Sequence, residues 1–182
     1  MLLTGLSLLS SCSRTPDEIN NLQQEVWKNP KSVEAYMHLG NAYARAQRYK
    51  EATEAYKSAL AINPDLDEAV HALGAVSFHE KNYAGAVTYF QKHLEHAPKD
   101  SLRLYDLGNA YMQLQQYTKA AEAYNGAIEN SELFVEAHYN LAICYIHTGR
   151  KAEAEAIYKW LLVKNNYLAV SLQNHLKKEN SR

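Results

Sequence analysis

Val33-Glu34-Ala35-Tyr36-Met37-His38-Leu39-Gly40-Asn41-Ala42-Tyr43 is the stretch that decides the fold. Tyr36, Leu39, Gly40 and Tyr43 stand at i, i+3, i+4 and i+7, one stripe of an α-helix. The pattern returns three more times at a fixed spacing of 34 residues, without gaps. Leu39, Leu73, Leu107 and Leu141 form one column, and Gly40, Gly74, Gly108 and Ala142 the next. Ala52, Ala86, Ala120 and Ala154 align, as do Tyr56, Phe90, Tyr124 and Tyr158. Tyr49, Tyr83 and Tyr117 line up too, which gives much of the excess of fourteen tyrosines a regular place. A helix buries such a ring while leaving its hydroxyl at a wet edge.

Each unit reads as two antiparallel helices, 33–46 and 49–62 in the first copy. Ala52, Tyr56 and Ala59 supply the second apolar stripe. Glycine inside a helix costs about 1 kcal/mol relative to alanine, so its recurrence at 40, 74 and 108 points to a close approach. Pro64 and Pro98 end the second helices, because proline cannot continue the backbone ladder. Asp65 followed by Glu68 reads as a capping box opening the next unit.

These columns resemble the tetratricopeptide repeat (TPR), a 34-residue helix-turn-helix. The resemblance covers units 33–66, 67–100, 101–134 and 135–168. It implies an all-α fold, a right-handed superhelix of antiparallel helix pairs (an α-solenoid) with four full repeats plus capping helices. Val70 and Ser77 stand where aromatics are usual, so the second unit is expected to pack least tightly. Glu132 replaces the proline of unit three, and Ala142 and Lys151 are departures in unit four. Residues 17–30 read as a capping helix with Ile19, Leu22 and Val26 inward. Residues 169–182 read as a C-terminal cap and tail, with Leu168, Leu172 and Leu176 as the stripe.

The resemblance also implies a concave wall built from first helices, its exposed side chains flanking the packing stripe. Carried over position by position, these are Met37, Asn41 and Arg45, then His71, Ala75, Phe78 and His79. Units three and four add Tyr105, Asn109, Met112 and Gln113, then Tyr139, Ile143, Ile146 and His147. Chaperone-binding members grip a terminal carboxylate with paired lysines and asparagines. Here Met37 replaces the first lysine and Ala72 the second asparagine, although Asn41 is in place, so that clamp is incomplete. An extended peptide or a helix with apolar anchors suits the wall better. On this reading Tyr105→Asp abolishes partner capture and leaves helicity intact.

Leu9-Ser10-Ser11-Cys12 resembles the bacterial lipobox, which makes 1–11 a lipoprotein-type signal peptide and Cys12 the acylated anchor. Residues 12–16 are then a short linker holding the domain against the bilayer. Ser13, rather than Asp, implies the outer membrane facing the periplasm. The alternative is a soluble cytoplasmic protein whose apolar leader is accidental.

Nineteen basic and twenty acidic residues give a net charge of −1, no field suited to nucleic acid. No Ser-His-Asp or Cys-His set and no glycine-rich phosphate loop is legible. His93 and His96 suit a helix C-terminus rather than a metal site, and Cys144 reads as a small buried hydrophobe. The expected function is a non-enzymatic scaffold or adaptor for assembly of an envelope complex (pilus, secretion, outer-membrane or wall synthesis). It needs no cofactor, metal or small-molecule substrate. Its partners are a protein or peptide, the membrane through Cys12, and in some cases a second copy. A cytoplasmic adaptor, chaperone-like protein or regulatory subunit of a wall hydrolase is the alternative.

Overall fold

The computed structural model describes residues 14–179. Ten helices and no strand are found among them, and the chain divides after Glu80 into two compact units. The expected signal peptide, Cys12 and the final three residues lie outside the described segment.

The first unit holds α1 (Arg14–Lys28), α2 (Val33–Arg45), α3 (Tyr49–Ile62) and α4 (Asp67–His79). α1 begins three residues before the expected capping helix and takes in Arg14, Thr15 and Pro16, the described part of the expected linker. Proline is tolerated there because the first-turn N–H has no intrahelical partner to lose. Ile19 is buried (4% exposed) and Leu22 and Val26 are half-buried, as the stripe requires. Ser32 caps α2, its hydroxyl accepting from Ala35 N at 3.1 Å. The expected capping box at Asp65 and Glu68 does not form. Leu66 occupies the cap position of α4 without a side-chain bond, and Asp65 N donates instead to Asn63 Oδ1 at 3.2 Å.

The second unit holds α5 (Tyr83–His96), α6 (Ser101–Gln113), α7 (Tyr117–Asn130), α8 (Val135–His147), α9 (Lys151–Val163) and α10 (Leu168–Glu179). Asp100 caps α6, accepting from Leu102 N and Arg103 N. Such a cap contributes about 1 kcal/mol. α10 packs on both α8 and α9, burying Leu172 completely and leaving Leu176 7% exposed. Full burial of a leucine such as Leu161 or Leu172 is worth about 2 kcal/mol.

Within each pair the connection is a three-residue turn with one left-handed residue. Gln47 (φ 57°), Gln115 (φ 58°) and Gly149 (φ 76°) hold that place, each 34 residues or a multiple from the others. Arg48 N donates to Tyr43 O, Gln116 N to Tyr111 O and Arg150 N to Tyr145 O, closing the six-to-one bond of a Schellman turn. The arginines then lie over the same tyrosines, 4.6 Å from the Tyr43 centroid and 4.1 Å from that of Tyr145.

The glycine column has the predicted reason. A methyl at Gly40 would come within 2.5 Å of the Tyr56 ring, and one at Gly108 within 2.6 Å of the Tyr124 ring. Tyr56 and Tyr124 are buried beneath them (2% and 0% exposed). In the last repeat Ala142 carries that methyl, and Tyr158 is only half-buried.

Candidate functional site

In the first unit, Asn41 and Arg45 stand one turn apart on α2, and His71, Ala75 and His79 one turn apart on α4. They line a cleft of about 490 Å³ together with Tyr49 and Glu68. Ala75, His71 and Asn41 are half-buried, while Arg45 and His79 are exposed. Met37 belongs to the floor, not the wall: it is 5% exposed, turned toward the core side of the stripe. Phe78 is half-buried with its ring edge-on to His79.

Several wall groups are already held by neighbours. Asn41 Oδ1 accepts from the Tyr56 hydroxyl at 2.7 Å. Arg45 pairs with Glu18 of α1, which fixes the one strong cation of the wall at its edge. The His79 ring stacks on Tyr49, with centroids 5.6 Å apart and planes within 6°. Sequence reading did not anticipate that Tyr49 and Glu68 share the cleft, since it took wall residues mostly from one stripe.

The second unit treats its predicted wall residues differently. Tyr105 packs between Tyr124 (centroids 5.7 Å apart) and Phe134 (4.7 Å). Its hydroxyl accepts from Asn140 Nδ2 at 3.3 Å, and burial raises its pKa above the usual phenol value. Asn109 Oδ1 accepts from Tyr124 at 2.7 Å and from Asn140 Nδ2 at 3.1 Å. Met112 Sδ lies 3.9 Å from the same Tyr124 hydroxyl. Tyr139 shares a hydrogen bond of 2.9 Å with Ser171 of α10. His147 stacks on Tyr117 at 4.1 Å. Ile143 and Ile146 are half-buried, and Gln113 is exposed. Tyr105 is half-buried in this ring packing, so Tyr105→Asp would place a charge between rings as well as alter the surface.

Models of the tetratricopeptide repeat match residues 33–66, 77–131 and 105–167. The chain is a tetratricopeptide repeat protein. This TPR chain is 26% identical over 140 residues to tetratricopeptide repeat protein 21B of Mus musculus, matching 74% of its own length. It spans only 11% of that relative. Among solved structures, MamA of Desulfovibrio magneticus superposes with a TM-score of 0.77 at 21% identity, covering 82% of this chain and 85% of that one. YrrB, described as a TPR protein with an unusual peptide-binding site, superposes at 0.76 with 20% identity, covering 92% and 87%. At such identities the likeness is one of fold.

Elsewhere in this TPR protein, Cys144 is fully buried and unpaired, and burial pushes its thiol pKa up to about 12. A thiol held neutral is a poor nucleophile. His93 is 9% exposed, its Nε2 3.6 Å from Asp100 Oδ2. Among the described residues no group of three or more His, Cys, Asp or Glu could hold a metal ion, and no helix is long and apolar enough to cross a membrane. A second hollow of about 530 Å³ lies beside Tyr36, Leu39 and Tyr43, rimmed by Lys50, Glu51 and Glu54. Both rim carboxylates are engaged locally, Glu51 with Arg48 and Glu54 with Lys57. The α2–α4 cleft is the better candidate, because it combines apolar floor, imidazoles and carboxamide on two rigid helices.

Proposed function

We propose that this protein is a non-enzymatic scaffold that holds a segment of a partner protein in the cleft between α2 and α4. The observation that carries the reading is the cleft itself: about 490 Å³, floored by Met37 and walled by Asn41, His71, Ala75 and His79. An extended peptide lays alternate side chains onto such a floor and hydrogen-bonds through its backbone to the imidazoles. YrrB, a protein of the same fold with an unusual peptide-binding site, supports this class of ligand. The stacking of His79 on Tyr49 holds one imidazole in place before the partner arrives, which lowers the ordering cost of binding.

The second part of the reading is location. Leu9-Ser10-Ser11-Cys12 supports acylation of Cys12 and attachment at a bacterial envelope membrane, where the scaffold assists assembly of an envelope complex.

Photo-crosslinking in cells separates these parts. A crosslinker at position 71 captures a discrete partner, and one at Thr88, exposed on α5, does not. Equal capture from both positions, or none, overturns the cleft. Radiolabelled fatty acid enters the protein and is lost in Cys12→Ala; absence of label in the unaltered protein removes the anchor and leaves the cleft standing.

A further inference from the structure

An apolar corner stands in water where α9 meets α10. Leu162 is 48% exposed, Val163 82%, Tyr167 75% and Val170 65%. All four fall within nine residues, spread over the end of α9, a turn containing Asn165 at φ 49°, and the first turn of α10. The inner faces of the same helices are complete, with Leu161 and Leu172 at 0% and Ala169 at 2%. The outward residues are therefore a separate surface rather than the edge of the core.

Charge is the second observation. Between residues 159 and 179 stand four lysines and one glutamate, in a chain whose other fifteen basic residues meet nineteen acidic ones. Lys159 lies one turn before Leu162 and Val163 on α9, and Lys164 follows them directly, its Nζ 5.9 Å from the Trp160 ring centroid. Lys178 lies two turns beyond Val170 on α10. All three are exposed.

We propose that this corner docks on an anionic lipid surface. Leu162, Val163 and Val170 enter the boundary between headgroups and acyl chains, and Tyr167 sits at headgroup level with its hydroxyl in water. The lysine stems lie along apolar surface while their ammonium groups reach the lipid phosphates. A second copy of the chain is a poor occupant. A two-fold contact through this corner sets its lysine rim against an identical rim, and like charges repel. The inference is independent of both the α2–α4 cleft and Cys12 acylation.

The test uses residues 1–182 carrying Cys12→Ala, so that no acyl chain contributes. Sedimentation with vesicles of phosphatidylglycerol and phosphatidylcholine is compared with vesicles of phosphatidylcholine alone. The protein binds only the anionic vesicles, and binding falls as sodium chloride rises. Val163→Asp with Val170→Asp weakens partitioning about tenfold or more, as does Lys159→Glu with Lys164→Glu, while circular dichroism is unchanged. Binding to neither vesicle overturns the proposal, as does binding that both double variants leave intact. A dimer that forms without lipid and is dissolved by Val163→Asp with Val170→Asp overturns it in favour of self-association.

Discussion

The Tyr124 hydroxyl donates to Asn109 Oδ1 at 2.7 Å, and 68 residues earlier Tyr56 donates to Asn41 Oδ1 at the same distance. Each bond ties the second helix of a pair to its first, under the helix surface where the family resemblance places ligand contacts. Tyr124→Phe leaves Asn109 its bond from Asn140, so a loss of about 1 kcal/mol is expected in urea unfolding. Asn109→Ala leaves the fully buried Tyr124 hydroxyl only the weak contact with Met112 Sδ and costs more, about 2 kcal/mol. A double-mutant cycle returns a coupling near 1 kcal/mol; additivity of the two variants contradicts the bond.

Gly108→Ala gains about 1 kcal/mol of helix propensity on an open helix. Here the new methyl meets Tyr124 Cε1 at 2.6 Å, and overpacking of that kind costs about 1–3 kcal/mol. Because the ring is fully buried, the upper end applies and a net loss of about 2 kcal/mol is expected. The last repeat shows the route of relief. Beside Ala142 the Tyr158 ring is half-buried, and its hydroxyl accepts from Gln173 Nε2 of α10 at 3.0 Å. An increase in the unfolding midpoint would show that Tyr124 can make the same move.

Gln115 sits at φ 58° in the turn between α6 and α7. A left-handed conformation costs a residue with a Cβ about 1–2 kcal/mol, and glycine loses about 0.4–1 kcal/mol in extra unfolded-chain entropy. Gln115→Gly therefore stabilises by about 0.5–1 kcal/mol, read as a higher urea midpoint with unchanged slope. Gly149→Ala in the equivalent turn moves the midpoint the other way.

Alkaline pH attacks the core. Burial raises the Cys144 thiol and the Tyr56 phenol to about 12 each, above their unfolded values. The stability this neutral burial supplies is complete below the unfolded pKa values and is lost as pH climbs toward the folded ones. The urea midpoint is expected to hold to about pH 8.5 and fall between about pH 9 and pH 12. Tyr56→Phe flattens the upper part of that fall and Cys144→Ala the lower. In a Cys12→Ala background, Cys144 resists a thiol reagent at pH 8 until urea is added. Rapid native reaction would mean the helix pair opens around it.

The helices were legible because one column of leucine and one of glycine repeat at a fixed interval. The expected first pair, 33–46 and 49–62, differs from the observed one by a single residue. The wall was less legible. Asn41 and Asn109 occupy its positions but spend their carbonyl oxygens on buried tyrosines, a bond that column spacing alone does not reveal. Asn140, missed altogether, stands in the column of His38, Ala72 and Asp106, where nothing in its own repeat marks it as the bridge between Tyr105 and Asn109. Periodicity reports which face a residue is on; it does not report which partner has already claimed its polar atoms.

Repeats built on the same columns can pair out of step, the second helix of one docking on the first helix of another. The Tyr56–Asn41 and Tyr124–Asn109 bonds mark the correct register. The second repeat has Phe90 and Ala75 in those places, and the fourth has Ile143 against Tyr158. A slip of one repeat would bury the Tyr56 or Tyr124 hydroxyl, which lacks the Gln173 bond that serves Tyr158, against Ala75 or Ile143, or leave an asparagine facing Phe90. Each such mismatch costs about 1–3 kcal/mol. Odd and even repeats are thereby made distinguishable to the folding chain, and two hydrogen bonds act as a parity check on an otherwise repetitive sequence.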